Sequence, residues 1–531
     1  MSQSTSPPAP LPRSLRSRER GVEHLPATEH LSSPRKRGPR PSAVLLAKAL
    51  VIPAKAGTAP LNFTLRMRTL LLSLLLLSLI SCSTPGKKST DPAHASYWKD
   101  QVLTDILPFW KDHARDTADG GFYTTLDSAW KPVGDQRKFP SMLSRHLFGF
   151  SVGYLLSGDP DYLMIARETY EYLLDHAWDK EFGGWYDVLD EKGNPLEATK
   201  SMFIQVYSIT GLAMYYFVTR DPGVLEYIEK SNNLLESKAW DSRHRGYFNG
   251  MTRDWQVLDS TKSISSEITP ISGYLFYLYL ATRDPKYLDQ AARILDVVTG
   301  PMMDPETGWI LENFTPDWQY LPGREDETEV STGHNIEVAW MLDRYYLITQ
   351  EMKYRKMAEQ LTGKIYRYGN NPDTGFWYNT IGRTYPEQHP DQTYWWVQAY
   401  GQMYDLISYR THNQEKYRDN FKQSSRFWDA RFVDRIHGDT YFSVRESGIV
   451  IETLKANRFK ASYHNAENGL LTYLYLNAWI HKEPTELYFK MLKSEKVEEC
   501  NFSPIEGDAL RVQKISHRKD GSLRVILTGN R

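Results

Sequence analysis

Cysteine is nearly absent: Cys82 and Cys500 are the two in 531 residues. That excludes the disulfide framework that staples small secreted domains. The sequence has no CxxC and no HExxH, so the common zinc and redox signatures are missing. It also lacks a GxGxxG fingerprint and a nucleophile elbow, and Gly86-Lys87-Lys88-Ser89 lacks the upstream glycine of a phosphate loop. No metal and no cofactor are expected. Charge of one sign is lacking too, with a formal net of -1. The balance hides an asymmetry: residues 1–66 carry eleven Lys/Arg against three acids, so the remainder is acidic and no nucleic-acid partner is expected. What is present is core-forming material. At 41% hydrophobic and 13% aromatic residues, the chain can bury a large core without disulfides.

The basic Arg66-Met67-Arg68-Thr69 precedes the apolar run Leu70 to Ile80, which is too short to span a bilayer and reads as a secretory signal. It ends Leu79-Ile80-Ser81-Cys82, which resembles a bacterial lipobox. The resemblance implies lipidation at Cys82, with the three acyl chains exceeding the two signals that stable anchoring needs. Ser83 after the cysteine implies an outer-membrane destination, at the periplasmic face or the surface. Val51-Ile52-Pro53-Ala54-Lys55-Ala56-Gly57 resembles peptides read from bacterial intergenic repeats. Residues 1–66 are therefore expected to lie upstream of the true start at Met67, which mass spectrometry of the N-terminal peptides checks. The expected organisation is a signal at 67–81, a polar linker at 82–96, a catalytic domain at 97–484 and a tail at 485–531.

From Tyr97 the chain repeats itself. A glycine followed by aromatics recurs at Gly121-Phe122, Gly184-Trp185, Gly246-Tyr247, Gly308-Trp309, Gly375-Phe376 and Gly438, in steps of about 62 to 67 residues. A second series, Gly158-Asp159-Pro160, Arg220-Asp221-Pro222 and Arg283-Asp284-Pro285, keeps the same period, with Thr349-Gln350 and Thr411-His412 in matching places. Between the two markers lies a helix that is apolar almost all round, such as Met202 to Val218; after the second comes an amphipathic one, such as Tyr162 to Leu174. Six such pairs predict an all-α (α/α)6 barrel, an inner ring of helices wrapped by an outer one. The tail predicts a β-hairpin from the runs Ala509 to Ile515 and Ser522 to Leu527.

Polar residues at the starts of inner helices are expected to ring one axial pocket, because they are costly inside an apolar barrel unless they work there. They are Arg145, Gln205, Tyr207, Glu267, His334, Glu337, Trp395, Trp396, Gln398 and His464. Two histidines, an arginine and a tryptophan pair suit acid/base chemistry on a sugar. His334 and Glu337 stand three apart, on one helix face, so the carboxylate is expected to steady the imidazole. The helix N-terminus is expected to keep His334 neutral and basic. Arg145 would stabilise an enediolate oxygen, and Trp395 and Trp396 would face a pyranose ring.

Gly333-His334-Asn335-Ile336-Glu337-Val338-Ala339-Trp340-Met341-Leu342, Trp395-Trp396-Val397-Gln398-Ala399 and Lys460-Ala461-Ser462-Tyr463-His464-Asn465 resemble the N-acylglucosamine 2-epimerase family, nearest its cellobiose 2-epimerase branch. Arg145 in Ser144–Ser151 is similar to that family's early arginine, and the resemblance spans about Tyr97 to Pro484. It implies an isomerase that epimerises C2 of a reducing-end mono- or oligosaccharide, or interconverts aldose and ketose, through a cis-enediolate. His334 and His464 would be the acid/base pair; Arg145, Tyr207, Glu267, Glu337, Trp395, Trp396 and Gln398 would hold the sugar. The sequence departs from the family where the third inner helix starts Ser265-Ser266-Glu267-Ile268-Thr269, without a histidine, and where Tyr400 follows Ala399 in place of a glutamate. Two other readings compete. A glycoside hydrolase or polysaccharide-processing enzyme would pair Glu267 with Glu337 across the pocket, and a non-catalytic lipoprotein would bind sugar without turnover.

Overall fold

The computed structural model describes residues 89–322, 328–491, 496–507 and 509–529. Cys82, the signal at 67–81 and residues 1–66 lie outside the described residues. Among the described residues, twelve helical segments alternate between two rings. The inner ring is α2 (Pro140–Ser157), α4 (Met202–Thr219), α6 (264–282), α8 (Thr332–Thr349), α10 (Trp395–His412) and α12 (463–481). The outer ring is α1 (95–113), α3 (Pro160–Tyr172), α5 (Pro222–Leu234), α7 (Lys286–Val298), α9 (Met352–Tyr368) and α11 (Glu415–Phe427). Each inner helix packs on the next, and α12 packs back on α2, which closes the (α/α)6 barrel. The repeats supply five outer helices that follow an inner one. The sixth is α1, from the start of the domain, packed on α12.

The second sequence marker is a helix-to-helix corner. Gly158, Arg220, Arg283, Gln350, Asn413 and Lys482 end the six inner helices in the left-handed conformation. Asp159 and Asp221 then cap the next outer helix, accepting from the amides of Asp161 and Gly223, with proline at the first helical position. The glycine-aromatic marker is a hairpin at the opposite end, where inner helices begin. Four hairpins are pinned by a buried ion pair: Asp116–Lys138, Asp179–Lys200, Asp241–Lys262 and Asp434–Lys455, at 2.9, 3.1, 2.9 and 2.7 Å. In each the lysine follows its aspartate by 21 or 22 residues.

One inner helix is broken in mid-course. Pro270 interrupts α6, and the chain widens into a π segment at Ile271–Leu275 before resuming at Phe276. The tail forms a three-stranded antiparallel sheet. Leu523–Gly529 is central, flanked by Thr485–Phe489 and Leu510–His517. The expected hairpin is there, and Thr485–Phe489 adds a strand to it. The tail also sends Glu506 inward, where it pairs with Arg344 of α8, both fully buried.

Candidate active site

A cavity of ≈ 420 Å³ opens where the inner helices begin. Its wall takes Arg145 from α2, Tyr207 from α4, Thr269 from α6, His334 and Glu337 from α8, Trp395, Trp396 and Tyr400 from α10, and His464 from α12. Tyr207, Thr269, Glu337 and Tyr400 hold the same place, the sixth residue of each helix. The second residues, Phe203, Ser265 and Trp396, lie one turn above them and also line the wall. In α8 that second residue is Gly333, where a Cβ would meet the Trp396 ring at 2.3 Å. Glycine lets the indole lie over the helix mouth.

Glu267 and Gln398 do not reach this cavity, which corrects the expectation for both. They are the fourth residues of their helices, about 200° round the axis from the second at 3.6 residues per turn, so they face the hairpins. Glu267 accepts from the Tyr247 amide at 2.6 Å, and Gln398 accepts from the Trp377 amide and donates to the Gly375 carbonyl. Gln205 and Asn335 do the same, the latter against Ile310. The four are braces between helix and hairpin. Burial pushes the Glu267 carboxyl up to about 8, so it serves as a neutral acid there.

The hydrogen-bond partner of His334 is Glu312 and not Glu337, a second correction. His334 Nδ1 donates to both oxygens of Glu312, at 2.8 and 2.9 Å. Glu312 belongs to the hairpin before α8. The equivalent Asp187 and Asn249, two residues past their hairpin bridges, hold Ser201, Ser263 and Ser266 at the starts of α4 and α6. The repeats could have pointed to Glu312. The glycine marker runs out of step by one there, because Trp309 stands where the first three hairpins carry Gly121, Gly184 and Gly246. With a carboxylate on Nδ1, Nε2 is the ring nitrogen that can change its proton. The ring is a quarter exposed, so it is open to the cavity and less enclosed than expected.

His464 is the buried one. Its imidazole lies 4.6 Å from Tyr463, 5.4 Å from Tyr400 and 5.7 Å from Trp395, ring centre to ring centre. Burial, then the Arg145 charge, pulls it well below its ordinary value. Burial therefore holds His464 as a neutral base. The Arg145 guanidinium stacks 3.7 Å over Tyr207 and donates to the Arg458 carbonyl at 3.4 Å. Glu337 keeps one oxygen buried without a partner, and burial raises its carboxyl. Phe203, Tyr394, Phe442 and Phe459, which the sequence did not single out, complete an aromatic wall. Such faces suit the apolar side of a sugar ring.

A larger cleft of ≈ 630 Å³ lies at the far end, between the C-termini of α8, α10 and α12. It holds no histidine and none of the expected site residues, so the chemistry is assigned to the smaller cavity. Among the described residues no group of three His, Cys, Asp or Glu side chains could hold a metal ion.

Residues 121–467 match the model of the N-acylglucosamine 2-epimerase (GlcNAc 2-epimerase) family. A cellobiose 2-epimerase of Bacteroides fragilis is 27% identical over 386 residues, covering 69% of this chain and 95% of that one. A D-mannose isomerase of Marinomonas mediterranea is 22% identical over 373 residues, covering 65% and 89%. Among solved structures, the cellobiose 2-epimerase of Spirochaeta thermophila shares the barrel, with a TM-score of 0.66 at 24% identity over 72% of this chain and 96% of that one. The chain belongs to the N-acylglucosamine 2-epimerase family, a family of carbohydrate epimerases and isomerases.

Proposed function

We propose that this barrel epimerises C2 of a reducing-end sugar, or interconverts aldose and ketose, with His464 and His334 as the acid/base pair. The observation that carries the reading is the meeting of both imidazoles, from α8 and α12, on one aromatic cavity. His464, neutral and buried, takes the C2 proton of an open-chain aldose. The electron pair moves into the C1–C2 bond and onto the carbonyl oxygen, giving a cis-enediolate. Arg145 is the positive group on the wall that opposes this charge. His334, oriented by Glu312, returns a proton. Delivery to C2 from the other face gives the epimer; delivery to C1, with the O2 proton passing to O1, gives the ketose.

The names of the relatives make cellobiose and mannose the first substrates to try. Chromatography of such incubations should show the C2 epimer or the ketose, and His464→Asn should show neither. Reducing ends released from a polysaccharide, with no epimer formed, would overturn the reading. The hydrolase alternative needs Glu267 across from Glu337, and Glu267 is behind the wall.

The basic Arg66–Thr69 segment and the apolar Leu70–Ile80 run support export and a lipid anchor at Cys82. Cys82→Ser should then move the protein out of the membrane fraction; a protein that stays with membranes counts against the anchor.

A further inference from the structure

Beneath the two histidines the barrel axis carries an unbalanced set of buried charges. Glu467 follows His464 by three residues on α12, one turn deeper on the same face. It is fully buried. Its Oε1 accepts from the Tyr277 hydroxyl of α6 at 3.0 Å, and its Oε2 is buried with no hydrogen-bond partner. Glu337, on the cavity wall, also leaves one oxygen buried and unpartnered, and the two carboxyls oppose each other's ionisation. The cation at this level is Arg344, two turns along α8 from Glu337, and it is already bound by Glu506 from the tail. Glu506 also accepts from the Tyr475 hydroxyl at 3.2 Å. Glu467 and Glu506 thus share one guanidinium.

Among the described residues nothing else that faces Glu467 supplies the missing positive charge. Tyr277 of α6, Tyr400 of α10, and Tyr463 and Tyr475 of α12 are phenols that burial pushes well above their ordinary value, so all are neutral. His464 is neutral too, and Arg145 is above it, on the cavity wall. An uncompensated carboxylate in so dry a place takes up a proton instead.

We propose that Glu467 is a positioning residue that holds a proton beneath the catalytic cavity and so keeps a buried negative charge away from the enediolate. This rests on the epimerase or isomerase reading above. Burial raises the Glu467 carboxyl to about 7 against the opposing pull of Arg344, so the proton is held below neutrality and lost above it. Once ionised, Glu467 opposes both the enediolate and the ionisation of Glu337. Turnover should therefore fall on the alkaline side.

Two readouts test this on the whole protein. Infrared spectra should show a protonated-carboxyl band at pH 6 that Glu467→Gln removes and that fades in the unsubstituted protein as pH rises through neutrality. The same substitution should raise the ratio of kcat at pH 8.5 to kcat at pH 6 on the order of tenfold, because glutamine stays uncharged. Should Glu467→Gln fail to fold, Tyr277→Phe serves: losing the hydroxyl that favours the carboxylate should move the infrared midpoint to higher pH. No band assignable to Glu467, an unmoved midpoint or an unchanged kcat ratio would overturn the proposal. The spectra need no substrate, so a protein that turns over no sugar would sink the functional reading while they still decide the state of Glu467.

Discussion

At the scale of single residues, the site rests on which group holds which imidazole. Glu312 fixes the tautomer of His334 through two hydrogen bonds, and His464 has its Nδ1 buried with no hydrogen-bond partner. Replacing Glu312 by glutamine keeps the shape and removes the charge. It should lower kcat by about 100-fold with little change in KM, as expected for an acid/base contribution; steady-state kinetics on a converted sugar check it. Glu267→Gln should behave oppositely. Glu267 already serves as a neutral acceptor for the Tyr247 amide, so activity should stay within about twofold. A large loss there would return a carboxyl to the chemistry. His334 and His464 were legible from the sequence because each opens an inner helix. Glu312 was not, because it comes from a hairpin whose register depends on Trp309 replacing a glycine.

At the scale of elements, the repeating unit is a hairpin locked to an inner helix. The lock draws on two parts, the brace at the fourth helical residue and the buried Lys–Asp pair, which occur together before α4 and α6. Lys262 is fully buried and bound to Asp241 and to the Arg245 carbonyl. Lys262→Ala removes the ammonium from the buried Asp241, leaving it the Arg243 and His244 amides and the His244 ring, and should cost about 1.5–3 kcal/mol, read as a lowered midpoint in chemical denaturation. The helix positions also explain two wrong expectations. Polarity alone grouped Glu267 and Gln398 with Tyr207 and Glu337; position along the helix separates them, since the second and sixth residues face the axis and the fourth faces the hairpin. The break in α6 at Pro270 was not legible as a π segment, because the widening depends on how neighbours accommodate the missing amide. Just before it, Ser265 and Thr269 line the wall at the helix start where the sequence already departs from the family's histidine.

At the scale of the molecule, six repeats and a closing N-terminal helix make one ring. The inner helices and their period were written in the apolar runs, and the barrel followed from them. The source of the sixth outer helix was not, because α1 carries neither marker. The shared hairpin lock gives the whole barrel a common response to acid. Burial alone would raise the Asp434 carboxyl, but Lys455 and backbone amides hold it down to about 2; Asp116, Asp179 and Asp241 are lowered in the same way. A carboxyl lowered by folding adds stability above its unfolded value, near 3.9, and loses it as pH falls toward the folded one. The melting temperature should therefore drop steeply between about pH 4 and pH 2, and Lys455→Met should flatten that dependence.

The most direct test of the two-histidine site is hydrogen exchange at C2. Incubated in deuterated water with a reducing sugar that it converts, the protein should place solvent deuterium at C2 of the epimer, or at C1 of the ketose. His464→Ala should slow that exchange by about 100-fold or more. Conversion without deuterium uptake, or exchange that survives His464→Ala undiminished, would contradict proton transfer by this pair.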